Sequence, residues 1–279
     1  MPDAHHLNRI VADLTFTVRQ DAKPWFESSR ITGGVPRIHF STENRPVTIH
    51  DMRADRDRLS LDVTGFELRR HETAVDDLYD DGAAARVYDR ETEDLLKGLT
   101  GADIATVFDR TRRSDAGAGA SNPDGMRMPA GRVHVDYTDD SGPTRARDVL
   151  GGETVDRVLG SGGRIVQINV WRPIRGPVAR SPLALADAGS IPKEDLLATD
   201  QVFPDRVGEI YQLAFSPAHR WYWAPHMERD EVLLIKGWDS LDDGRARYTP
   251  HGAFALPDQD PAAPPRESIE LRTFIAFEG

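Results

Sequence analysis

Two short patterns place metal-binding side chains at a spacing a strand can use. His134-Val135-Asp136 sets an imidazole and a carboxylate two residues apart, and residues i and i+2 of a strand project to the same side, so both can reach one cation. The tripeptide alone is weak, because a packed histidine beside a surface aspartate has the same spelling. His251, in the short aromatic stretch Tyr248-Thr249-Pro250-His251-Gly252-Ala253-Phe254, supplies a third ligand 117 residues downstream. Two imidazoles and one carboxylate on one face of a metal leave adjacent positions open for a co-substrate and dioxygen, the facial arrangement of non-haem Fe(II) oxygenases.

Fifteen residues after His251, the chain leaves a proline-rich turn (Pro257 to Pro265) and enters Arg266-Glu267-Ser268-Ile269-Glu270-Leu271-Arg272. Strand alternation sends Arg266 and Ser268 to one side. A guanidinium fork with a hydroxyl beside it suits the remote carboxylate of 2-oxoglutarate, since the fork meets a carboxylate bidentately and stays charged when partly buried. An arginine paired with one of the many acidic side chains is the plainer reading of Arg266 by itself. The ordered set, His-x-Asp, a distant His, then Arg-x-Ser, favours Fe(II) with 2-oxoglutarate as co-substrate.

Other histidines do not complete such a set. His226-Met227-Glu228 leaves only 25 residues before His251, too few for the intervening strands, and Pro225 marks a turn. His39, His50, His71 and His219 lack an i+2 carboxylate and are read as surface or packing residues. Gly160-Ser161-Gly162-Gly163 follows a helix and precedes a strand, the reverse of a phosphate-binding turn, so it reads as a helix stop.

Strand signals dominate the elements that must position these groups. Val47–Met52 and Leu59–Leu68 read as strands, the latter from Leu59, Leu61 and Val63 at a spacing of two; Asp89–Leu99 reads as a helix and Ile104–Phe108 as a strand. The small residues of Ser114–Pro129 predict a mobile loop, placed either to close over a substrate or simply to connect. Beyond it, strands are predicted at Arg132–Tyr137, Arg164–Trp171, Leu183–Ala186, Gly208–Phe215, Val232–Gly237, Arg247–Phe254 and Ser268–Phe277, with a helix at Glu153–Leu159. Without βαβ alternation, the expected fold is mainly β with flanking helices around a double-stranded β-helix of the jelly-roll or cupin kind. The expected organisation is a single domain over residues 1–279, with an N-terminal scaffold over 1–110 and the β-helix core over 130–279.

Composition narrows the chemistry further. The 279 residues contain no cysteine, which removes disulfides, thiolate nucleophiles and Cys-ligated metal clusters. A net charge of −11 without a basic block argues against nucleic acid and anionic membranes as partners. With no apolar run of spanning length and no signal-peptide pattern at the N-terminus, the expected location is the cytoplasm. A homodimer is compatible with a chain of this size.

Several segments resemble one known family. They are Asn169-Val170-Trp171-Arg172-Pro173-Ile174, Pro182-Leu183-Ala184-Leu185, Asp230-Glu231-Val232-Leu233-Leu234-Ile235-Lys236, Asp239-Ser240, Ala246-Arg247-Tyr248-Thr249-Pro250-His251 and Arg266 through Arg272. In this order they resemble the CmcJ/AsaB-type hydroxylases and desaturases, which include gibberellin desaturases, over roughly residues 10–277. The resemblance implies an Fe(II)- and 2-oxoglutarate-dependent dioxygenase of secondary metabolism that hydroxylates, desaturates or cyclises a small molecule. It implies His134, Asp136 and His251 as iron ligands and Arg266 and Ser268 as the 2-oxoglutarate site. Asn169 and Trp171, on one face of their strand, are assigned to the substrate pocket wall, with Arg172 facing away. Gly237-Trp238 departs from the family pattern.

Two other readings keep the fold. One is a cupin-like isomerase, epimerase or lyase that uses its metal as a Lewis acid without oxygen chemistry. The other is a non-catalytic metabolite-binding protein, against which the intact set His134, Asp136, His251 and Arg266 argues.

Overall fold

The computed structural model describes residues 9–279. Two large sheets face each other. The five-stranded sheet is antiparallel and runs, edge to edge, Phe66–Arg70, Glu231–Asp239, Arg164–Pro173, Glu267–Phe277 and Ile104–Ser114. The ten-stranded sheet carries Leu183–Ala186, His251–Ala253, His134–Val135 and Val207–Leu213 side by side near its middle. This is the expected mainly β, cupin-type architecture.

Alternation along the central strands sorts side chains between two environments. On the outer face of the five-stranded sheet, Val166, Ile168, Val170, Ile269, Leu271 and Ile275 pack with Tyr88 and Leu96. Leu96 belongs to the helix Asp89–Thr100, which has Asp89 and Glu91 in its first turn, Lys97 in its last, and a left-handed Gly101 as its stop. Those charges complement the helix dipole, and glycine takes the positive φ at no steric cost. On the inner face, Phe66, Leu68, Trp171, Leu233 and Ile235 meet Leu183, Leu185 and Ala253 of the opposite sheet.

Several boundaries differ from expectation. A 3-10 helix at Arg56–Arg58 precedes Leu59, the stretch from Leu59 to Gly65 is turn, and the strand begins at Phe66. Leu59 and Leu61 are buried there while Val63 is 65% exposed, so two anchors of a turn imitate strand periodicity. The Ser114–Pro129 segment contains a hairpin, Ala120–Asn122 with Gly125–Arg127, and Asn122 clamps both the N–H and the carbonyl of Arg112. Arg132–Tyr137 and Arg247–Phe254 contract to His134–Val135 and His251–Ala253. The N-terminal strands Arg9–Thr17 and Thr42–Asp51 enter the ten-stranded sheet itself through Trp221–Trp223, a parallel pairing that local pattern does not reveal. The helix Ser141–Leu150 was not anticipated; Pro143 falls in its first turn, where a missing N–H costs nothing.

Candidate active site

His134 and His251 are cross-strand partners on neighbouring antiparallel strands, their ring centroids 4.7 Å apart. Each ring is braced the same way. His134 Nδ1 lies 2.9 Å from the Arg132 carbonyl and His251 Nδ1 lies 2.9 Å from the Thr249 carbonyl. A carbonyl only accepts, so each Nδ1 carries a proton, and the neutral form of such a ring has its lone pair on Nε2. Burial, with His251 adjacent, pushes His134 down to about 3, so that ring is neutral at physiological pH.

Asp136 follows immediately, with Oδ1 3.7 Å from His134 Nε2. Burial would raise its pKa, but Arg272 and the two imidazoles outweigh that and hold it well below the usual carboxylate range. Arg272 Nη2 donates to Oδ1 at 3.2 Å, and Asn169 Nδ2 donates to Oδ2 at 2.5 Å. Among the described residues, no three His, Cys, Asp or Glu side chains are gathered tightly enough to ligate a cation as they stand. The 3.7 Å separation nonetheless lies inside the roughly 4.2 Å that two bonds of about 2.1 Å can bridge. Two free imidazole lone pairs beside one ionised carboxylate fit a divalent transition metal.

Arg266 opens onto the same cavity, which Arg113, Ala130, Trp171, Leu183 and Glu270 also line together with His134 and His251. Its side chain is 2% exposed, with one hydrogen bond, Nη1 to the Ser181 carbonyl at 2.9 Å. Nε and Nη2 are buried without partners. Trp171 lies beneath the guanidinium at 5.6 Å from ring centroid to Cζ. Burial, reinforced by Arg113, lowers Arg266 to about 9. An unpaired buried cation is costly, and the missing partner with matching geometry is a carboxylate.

The inner face of Glu267–Phe277 extends this polar lining. Ser268, two residues beyond Arg266, is buried, and its hydroxyl donates to the Arg113 carbonyl at 3.4 Å. Glu270 and Arg272 continue the same face, where the Arg272 Nε donates to Glu270 at 3.4 Å. Asn169 corrects the pocket-wall assignment: it is fully buried with its amide committed to Asp136, whereas Trp171 does line the cavity. Arg172 faces away, donating to Tyr88, His71 and the Arg229 carbonyl. Arg113 and Glu270 were missed; Glu270 was discoverable, since it continues the Arg266 and Ser268 alternation by one step.

The remaining histidines stand elsewhere in the contact network. His226 occupies a turn with φ +47, His219 bonds Asp195 at 2.8 Å, and His39 stacks on Trp25. A wider surface depression is lined by Lys193, Arg245, Arg247 and Tyr248, but each of those cations already pairs with an aspartate. It shares no lining residue with the cavity at His134.

Fold and side chains together define a cupin-type protein with a His-x-Asp and distant-His cluster facing a buried arginine. Residues 14–276 match the family model described as an oxidoreductase/YMDC permease-like domain. The hydroxylase/desaturase efuI of Hormonema carpetanum is 33% identical, with 88% of each chain covered. The alpha-ketoglutarate-dependent dioxygenase tstK of Talaromyces stipitatus is 30% identical over 99% of this chain and 100% of its own. Among solved structures, the iron and alpha-ketoglutarate-dependent endoperoxidase NvfI superposes with a TM-score of 0.84 at 28% identity, covering 98% of this chain and 99% of that one. The chain belongs to this oxidoreductase family of hydroxylases and desaturases, the one its motifs resemble.

Proposed function

We propose that this protein is an Fe(II)- and 2-oxoglutarate-dependent dioxygenase that oxidises a small molecule of secondary metabolism. His134, Asp136 and His251 hold the metal, Arg266 holds the remote carboxylate of 2-oxoglutarate, and Ser268 supports it. The iron and alpha-ketoglutarate dependence named for NvfI, and the alpha-ketoglutarate dependence named for tstK, support the reading. The observation that carries it is the buried Arg266 fork, with Nε and Nη2 unpaired, in one cavity with both imidazoles. A Lewis-acid isomerase or a metabolite-binding protein would use that arginine only for a carboxylate on its own ligand.

Iron held by His134, Asp136 and His251, with 2-oxoglutarate held by Arg266 and Ser268, would supply oxidising chemistry that consumes dioxygen and 2-oxoglutarate and yields succinate and carbon dioxide. The chain's own contribution is placement. The Arg132 and Thr249 carbonyls aim two Nε2 lone pairs into the cavity, and Trp171 shields the guanidinium from water. The same reading covers a single catalytic domain and a cytoplasmic location. It includes no nucleic-acid or membrane partner and is compatible with a homodimer. Among the described residues, no helix is long and apolar enough to cross a membrane.

The test is anaerobic titration of the Fe(II)-loaded protein with 2-oxoglutarate, which is expected to produce a visible metal-to-ligand charge-transfer band. Tight iron binding with no band at saturating 2-oxoglutarate moves the protein to the Lewis-acid class.

A further inference from the structure

Asp136 ends a chain of buried amides. Asn169 Nδ2 donates to Asp136 Oδ2 at 2.5 Å, and Gln167 Nε2 donates to Asn169 Oδ1 at 2.7 Å. Gln167 and Asn169 are both fully buried. The direction of the chain follows from its end. An ionised carboxylate only accepts, so Asn169 must present its NH2 to Asp136 and its carbonyl to Gln167, which must then present its own NH2. Gln167 Oε1 is left buried and without a partner at the far end.

The neighbouring strand is built around that far end. In the pairing of Arg164–Pro173 with Glu231–Asp239, Gln167 opposes Trp238 and Ile168 opposes Lys236, so Gly237 is skipped as a bulge. A Cβ on Gly237 would lie 1.9 Å from Gln167 Oε1. Glycine at the bulge therefore makes the space in which the glutamine amide sits.

We propose that Gln167 and Asn169 are positioning residues that hold Asp136 Oδ2 back, reserving Oδ1 on the His134 side as its metal-ligating oxygen, and that Gly237 makes room for them. The proposal rests on the metal site described above. Arg272 holds the other side of the carboxylate, so Asp136 is fixed between two donors before any metal arrives. Partners of this kind orient a ligand without touching the metal, and losing one typically weakens affinity by about 10- to 100-fold.

The experiment uses the full chain, stripped of metal and titrated with Co(II), whose visible absorption reports affinity and ligand geometry. Melting temperatures of the metal-free proteins are recorded alongside. Asn169→Ala is expected to weaken Co(II) binding by about 10- to 100-fold and alter its absorption envelope. Gln167→Ala and Gly237→Ala are each expected to weaken it less, and the double variant no further than Gln167→Ala alone, since the new methyl then displaces nothing. Where Gln167→Ala melts below the assay temperature, Gln167→Met keeps the volume without the donor and is expected to show the same loss. Wild-type affinity and spectrum in Asn169→Ala and Gln167→Met, or additive losses in the double variant, overturn the relay. A wild-type protein that binds no Co(II) defeats the metal site itself, and the relay with it, a result distinct from any variant's behaviour.

Discussion

His134 and His251, 117 residues apart in the chain, are direct register partners on two short strands, and each ring donates through Nδ1 to the carbonyl two residues before it. The site is thus assembled by sheet pairing and tuned by local backbone. That division determines which substitutions should matter.

Replacing either imidazole with alanine should cost more metal affinity than the roughly 10- to 100-fold typical of a supporting residue. His226→Ala should leave affinity unchanged, because that residue occupies a separate turn. Equilibrium binding of Co(II) to the three variants measures the difference, and loss of metal in the His226 variant alone would reassign the site.

Arg266→Leu should abolish 2-oxoglutarate binding while leaving the metal-free fold at least as stable as wild type. Its guanidinium has one partner in the buried state, so removing it relieves an uncompensated charge. Thermal shift separates the two effects. At 100 times its dissociation constant a ligand stabilises by about 2.7 kcal/mol, and that increment should vanish in the variant.

Acid should destabilise the metal-free protein in a defined window. The unfolded chain protonates His134 near its ordinary value of 6.5, whereas burial and His251 keep the folded ring neutral to about 3. Between those values the unfolded state binds the extra proton, so stability falls as pH drops from about 6.5 toward 3. Asp136, whose folded pKa is also depressed, adds a loss below its ordinary 3.8. Urea midpoints across this range should show the slope, and His134→Ala should flatten its upper part.

Gly65→Ala should damage the site from a distance. Gly65 has φ +88, and its Cβ would lie 2.2 Å from Thr249 Oγ1, the hydroxyl that donates to the Gly65 carbonyl. Thr249 also supplies the carbonyl that braces His251. The strain should cost about 1–3 kcal/mol, seen as a lower melting temperature together with weaker metal binding.

The site was legible wherever strand alternation alone places the chemistry. His-x-Asp and Arg-x-Ser each put two groups on one face, and Trp171 was assigned to the cavity by the same rule. Alternation misled over the first part of Leu59–Leu68, where the turn residues before Phe66 reproduce the period with no partner strand. It could not report Asn169's true contact, since facing inward is common to a substrate wall and a ligand's support. Nor could it show that Arg9–Thr17 joins the ten-stranded sheet, because the link runs through Thr42–Asp51 to Trp221–Trp223, and a pairing between segments so far apart in the chain leaves no local mark.

The strand Glu267–Phe277 divides cleanly, with Arg266, Ser268, Glu270 and Arg272 inward and Ile269, Leu271 and Ile275 in the outer apolar layer. One inserted or deleted residue within it would invert the downstream half, driving leucine toward the cavity at His134 and a guanidinium into oil. Its length is therefore frozen. Length can change without inverting a face only in the loops, such as the turn between Asn122 and Gly125, where an insertion shifts no register of this strand.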